Sequence, residues 1–463
     1  MTIDVYDLTG KIAAPEAHYD VVVVGAGDAG TAAAIVAAQS GKSVLLVDEN
    51  PLPAALMGTD VPLFYGGRMT AAVQTSGRMV EAMLAANPAL QDAFDLGVEV
   101  LLGTAAWGLY RNGSAMRTLP GPMLGLADAT RAWMVGYGEL VLATGSRDVV
   151  LGFPGWNQPG VMGAQGFHAL LTRYRALAAQ RVLILGSGRL ALETALLAHD
   201  HGVEVAGIVE VGDAVAGPAD VLARVRTAGI AVHTGTVIAN AEGGIDGVEQ
   251  AILRRGHSTI TVACDTICLA LGIEPATELL EASGPLDATV QLIGDCAAPV
   301  SDATYIAAWW RAIVVISPPE TIVCQCEEVT RADLLGVQPP AYLDRPAALA
   351  ARSLATLARD GLVDPDQIKR LTRAGMGACQ GRRCRTQVAC LLAEATGLPV
   401  APATYRAPVR PIPLRLLADW DETAAMVAGW DVWFGIPTQW TPYDTIGTAD
   451  EHAPGLGGGN MHV

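Results

Sequence analysis

Four thiols in two tight groups, Cys324-Gln-Cys326 and Cys379-Gln-Gly-Arg-Arg-Cys384, are the residues of this chain best suited to redox or metal chemistry. Each group can clamp one iron of a two-iron centre, while four thiolates together also suit one tetrahedral zinc. The other cysteines, Cys264, Cys268, Cys296 and Cys390, read as core. Eight cysteines in 463 residues are few for a disulfide scaffold, and the paired spacing points to ligation in a reducing compartment.

Helix signals frame both groups. Thr330 with Asp333 forms a capping box after the first, and Asp364, Pro365 and Gln367 start a helix before the second that Gly375 can end. Thiols at helix termini face backbone N–H groups, which stabilise negative charge on sulfur.

A second kind of chemistry is written in glycine. Gly25, Gly27 and Gly30 form G-x-G-x-x-G between an apolar strand and an alanine-rich helix, and Asp48 ends the next strand. This βαβ pattern lets the backbone approach a pyrophosphate at a helix N-terminus and offers the acid to a ribose. Asp28 stands beside that phosphate position, a carboxylate that must point away from it.

The pattern recurs as Gly186-Ser-Gly188-Arg-Leu-Ala191 with Glu210, which permits NAD or ATP and favours NAD over NADP. His199 and His201 flank Asp200 on different sides of a helix and read as a helix end, not a metal site.

Composition removes other classes. A formal net charge of -17 disfavours nucleic acid and anionic lipid surfaces. The first twenty residues have no leader pattern and no later apolar run spans a bilayer, so a cytoplasmic protein is expected. No Gly-x-Ser-x-Gly elbow, His-Glu-x-x-His or redox Cys-x-x-Cys after the first βαβ unit is present, which weighs against hydrolases, zinc proteases and disulfide reductases.

The segments VCQCEEVTRADLL and IKRLTRAGMGACQGRRC resemble the bacterioferritin-associated-ferredoxin type of [2Fe-2S] domain, although the connection between them is longer than usual. LVLATGSR, containing Thr144 and Gly145, and LIGD, containing Gly294 and Asp295, resemble the later signatures of two-dinucleotide-domain flavoproteins. Together they resemble the alpha-type subunit of hydrogen cyanide synthase, opine oxidase and proline or hydroxyproline dehydrogenases.

The resemblance implies an α/β, Rossmann-like two-dinucleotide-binding-domain flavoprotein with a C-terminal helical [2Fe-2S] domain. It implies FAD near Asp295, a cluster on the four cysteines, and FMN at a subunit interface. The implied partners are an amino-acid-oxidase-like flavoprotein subunit, which removes hydride from a C–N bond, and a small third subunit.

The expected division is 1–155 and 266–318 for the FAD domain, 156–265 for the inserted NAD-type domain, 319–400 for the cluster domain and 401–463 for a Pro- and Trp-rich tail. Trp309 and Trp310 read mainly as core. Two other readings stay open at this point, a self-contained NAD(P)H-dependent reductase and a non-enzymatic cluster-bearing scaffold.

Overall fold

The computed structural model describes residues 14–51, 67–111, 121–284, 287–298, 302–345, 352–418 and 422–427, with the single positions 10 and 347. The segment 52–66 after the first βαβ unit, and Trp420, Trp430, Trp433 and Trp440 of the tail, lie outside the described residues.

The apolar strand Ala17–Val24 hydrogen-bonds in parallel to Val44–Asp48 on one side and to Ala132–Leu142 on the other. Val22 and Val23 are wholly buried, because helices cover one face of this sheet and an antiparallel layer extends it. Strand order is Glu99–Leu102, Val44–Asp48, Ala17–Val24, Ala132–Leu142, Met123–Ala127, Ala105–Tyr110, with Val290–Leu292 also parallel to Ala132–Leu142. The last pairing carries Gly294 and Asp295 back to the first glycine turn.

A second parallel sheet runs Val232–His233, Glu204–Val209, Arg181–Leu185, Thr266–Leu269, Val161–Gly163, beside a three-stranded antiparallel sheet of residues 237–263. The strand Thr266–Leu269 therefore belongs to the inserted unit, beyond the expected boundary at 265. Its fully buried TICL run would suit either sheet, so sequence alone could not assign it. The chain leaves and re-enters the first unit through an antiparallel pair, Ser146–Asp148 with Ile273–Pro275.

The third unit is helical. A short hairpin, Ile322–Cys324 with Val329–Thr330, precedes helices Arg331–Gly336, Leu354–Asp360, Pro365–Thr372 and Arg385–Thr396. The capping box of Thr330 with Asp333 and the Asp364 cap with Pro365 at the first turn are both present.

This unit is locked onto the first by Gln387, which is wholly buried. Its Oε1 accepts the Gly152 N–H at 2.8 Å and its Nε2 donates to the Val323 carbonyl at 2.6 Å. Cys324, Cys384, Leu391 and Leu392 share one apolar core with Leu151, Phe153 and Trp156. Residues 398–413 then cross the first unit, burying Tyr405 and Val409, with Arg410 paired to Glu49 at 2.6 Å.

Candidate functional site

The first glycine turn is built to leave space. Gly25 has φ +110°, and a Cβ there would lie 2.2 Å from the Ala143 carbonyl oxygen; one at Gly30 would lie 1.8 Å from that of Gly25. Neither position admits a side chain, which keeps helix Asp28–Gln39 tight against the strand. A Cβ on Gly27 would meet nothing within 4 Å, so the turn opens onto a free cradle.

Asp48 fixes that turn: its Oδ2 accepts the Ala26 N–H at 2.6 Å and its Oδ1 accepts the Asn50 N–H at 2.8 Å. Burial pushes its carboxyl up from the ordinary range, against these two hydrogen bonds. Asn87 adds a support that sequence reasoning missed, donating to the Ala26 carbonyl and to Thr31 Oγ1, both at 3.0 Å.

The later signatures converge on the same place. Thr144 donates to the Ala276 carbonyl at 2.6 Å, and Gly294 lies so close to the helix that a Cβ would be 3.0 Å from Ala29 Cβ. Asp295 is exposed toward the cleft, with Ser146 Oγ 3.3 Å from its Oδ2.

Together these residues line a cavity of about 620 Å³, well within the roughly 300–1,000 Å³ of small-molecule and cofactor sites. The open cradle at Gly27 and the free helix N-terminus fit the pyrophosphate of FAD and the exposed Asp295 carboxyl its ribityl part, while Asp48 shapes the turn. The same cavity is also lined by Cys379, Arg382 and Arg383 of the helical unit.

Two further groups in the cavity wall carried no recognisable motif. Glu278 is buried between Arg147, with which it forms an ion pair, and Arg410, 3.6 Å away. Burial opposes its ionisation, but the two guanidiniums outweigh this and hold it at about 2. Asp148 accepts the Gln165 N–H at 3.0 Å, and loss of water raises it to about 7 despite that bond and the nearby Arg383.

The four paired cysteines come together, but not in the pairs that sequence spacing suggests. Cys384 is hydrogen-bonded to Cys324, and Cys326 to Cys379. The cause is local: Cys324 ends an extended strand and Cys326 sits in the following 3-10 turn, so the two thiols leave the backbone in different directions. Cys384 caps helix Arg385–Thr396 and Cys379 lies in the loop before it.

The surroundings suit thiolates. Cys324, Cys379 and Cys384 are each at most 2% exposed. The Gly375 N–H points at Cys324 Sγ at 3.4 Å. The Cys384 hydrogen bond holds the Cys324 thiol below the ordinary cysteine range against burial, and raises Cys384 in turn. Gly377 is required, since a Cβ there would be 2.4 Å from Cys326 Cβ. Among the described residues, no three His, Cys, Asp or Glu side chains converge on a position for one metal ion.

The second glycine turn differs from the first. Glu210 is 2% exposed and its carboxylate is engaged internally, so it does not face an open cleft. Gly186 and Gly188 occupy the expected strand-to-helix turn, which leads into helix Arg189–Asp200. His201 caps that helix's C-terminus as expected, and Trp309 and Trp310 are core.

Two dinucleotide-type units, the first with its glycine turn facing a large cavity, define an α/β oxidoreductase of the two-dinucleotide-fold class. The model for pyridine nucleotide-disulphide oxidoreductases matches residues 19–291, and the chain belongs to that family. A second model, the sarcosine oxidase A3 domain, matches residues 340–420.

Within the family the chain groups with the alpha-type subunits of heteromeric amine and amino-acid oxidising enzymes. It is 26% identical to the alpha subunit of sarcosine oxidase from Rhizobium meliloti over 84% of this chain and 40% of that one. It is 26% identical to an opine oxidase subunit of Agrobacterium tumefaciens over 88% and 92% of the two chains, and to the HcnB subunit of hydrogen cyanide synthase from Pseudomonas aeruginosa over 85% and 97%. The chain thus spans less than half of the sarcosine oxidase relative. The crystal structure of L-proline dehydrogenase from P. horikoshii shares the fold, with a TM-score of 0.55 at 17% identity over 88% of this chain and 81% of that one. Among the described residues no helix is long and apolar enough to cross a membrane.

Proposed function

We propose that this chain is the electron-transfer subunit of a heteromeric flavin-dependent amine or amino-acid dehydrogenase. FAD would lie in the first cleft and a [2Fe-2S] cluster would be held by Cys324, Cys326, Cys379 and Cys384. The observation that carries this reading is the cavity lined by both Gly27 and Cys379.

Bound there, the flavin supplies conversion between electron pairs and single electrons for the cluster. The chain's own groups prepare both ends. Backbone N–H groups at the start of helix Asp28–Gln39 offset pyrophosphate charge. Arg382 and Arg383 place positive charge where the cavity reaches Cys379, in a protein whose formal net charge is -17. Burial and the Gly375 N–H give the sulfurs a dry setting with a donor aimed at Cys324. The Cys-x-Cys and Cys-x-x-x-x-Cys spacing, one group for each iron, supports a two-iron centre over one tetrahedral zinc.

Oxidation of the C–N bond is assigned to an amino-acid-oxidase-like flavoprotein partner, with FMN at the shared interface and a small third subunit completing the assembly. The names of the opine oxidase and sarcosine oxidase relatives support an amine or amino-acid donor. The test is to purify the chain alone and with its co-expressed partner and compare amino-acid oxidation under single turnover. The complex is expected to oxidise substrate and reduce this chain's chromophores, while the isolated chain does neither. Full-rate amino-acid oxidation by the isolated chain would overturn the proposal.

A further inference from the structure

The second glycine turn already has an occupant from within the chain. Tyr305 stands on helix Ala303–Ile316, whose start is capped by Asp302 and whose inner face, Ile306, Trp309, Trp310 and Ile313, is buried. The Tyr305 hydroxyl donates to Glu210 Oε2 at 2.7 Å and accepts the Ser187 backbone N–H at 2.9 Å. Ser187 Oγ donates to the same Oε2 at 2.5 Å, while the Gly212 N–H takes the other carboxylate oxygen at 2.8 Å. The Ala216 N–H in turn donates to Ser187 Oγ at 2.9 Å.

These are the groups a dinucleotide needs. In this fold the turn's N–H groups meet the pyrophosphate and the acid ending the second strand meets the adenosine ribose. Here one tyrosine hydroxyl satisfies both kinds at once, and Ser187 is wholly buried. A Cβ on Gly188 would still meet nothing within 4 Å, so space at the helix tip is not what is lost. What is lost is the pair of polar partners. A nucleotide would have to break both Tyr305 hydrogen bonds and leave the half-buried hydroxyl without equivalents, a penalty that specificity commonly exploits.

We infer that Tyr305 is a specificity determinant, an internal ligand that closes the second dinucleotide fold to nicotinamide and adenine nucleotides. The fold then serves as scaffold, and electrons enter by the first cleft alone. Only this last consequence rests on the function proposed above; the closure itself does not.

The test measures binding rather than turnover. NADH fluorescence and calorimetry with NAD and ATP are run on the full wild-type chain and on Tyr305→Phe, which keeps the ring and removes the hydroxyl. Wild type is expected to show no saturable binding below about 1 mM, and Tyr305→Phe to bind NADH at least tenfold more tightly. Saturable micromolar binding by wild type overturns the inference, as does a Tyr305→Phe chain, folded by circular dichroism, that binds no better than wild type. Should Tyr305→Phe fail to fold, wild-type binding decides alone. Each titration is run with saturating FAD, which occupies the first cleft, and is repeated on Gly27→Ala, so that nucleotide bound at the first glycine turn is subtracted and failure of this inference is distinguishable from failure of the electron-transfer proposal.

Discussion

Gly27, at the tip of the first glycine turn, and Cys379, in the loop before helix Arg385–Thr396, line the same cavity. Neither residue is near the other in sequence; the contact of their surroundings is made by Gln387 and by the crossing of residues 398–413 over the first unit. A cleft shared by a nucleotide turn and a thiol group is the physical basis for the proposed link between a flavin and a cluster.

Gly27→Ala tests the first end. Its φ of -75° suits any residue and the new methyl has open space, so stability should change by less than about 1 kcal/mol. The methyl intrudes where the pyrophosphate would approach, so flavin affinity should fall tenfold or more, read from the flavin absorbance retained after dialysis.

Cys384→Ala and Cys390→Ala separate the cluster from ordinary buried thiols. Cys384 hydrogen-bonds Cys324, whereas Cys390 is partly buried on the same helix away from the paired thiols. Iron and sulfide should be lost in the first variant and retained in the second, with flavin content unchanged in both.

Glu278→Gln should weaken the junction between units. Removing the carboxylate leaves Arg147 and Arg410 facing each other near a buried site. Breaking such a pair typically costs roughly 3–5 kcal/mol. A loss of unfolding free energy of that order, read from denaturant titration, is expected at neutral pH, with little effect near pH 2, where the wild-type carboxyl also becomes protonated.

Asp148 sets a pH dependence of opposite sign. Its folded value of about 7 exceeds the ordinary carboxyl value of 3.8, so between these limits the folded state holds more protons than the unfolded one. Its contribution to stability is therefore fully present at low pH and is lost as pH rises to about 7. Thermal unfolding of cofactor-stripped protein should show this decline in wild type, and Asp148→Asn should flatten it.

Much of this was readable in the sequence because it is local. A glycine turn between a strand and a helix, the Thr330 and Asp364 caps and the identity of the four paired cysteines each depend on a few neighbouring residues. The cross-pairing of Cys324 with Cys384, the burial of Glu278 between two arginines and the Tyr305 contact with Ser187 depend on units brought together over long separations. The same holds for Thr266–Leu269, an apolar run whose sheet is chosen by its partners and not by its residues.

The central claim is the nature of the thiol site, and low-temperature electron paramagnetic resonance of the dithionite-reduced chain tests it most directly, together with iron and sulfide analysis. The expected result is about two irons and two sulfides per chain and a single-electron signal that disappears in Cys384→Ala. A chain purified anaerobically with one zinc on these cysteines, no sulfide and no signal on reduction would contradict it.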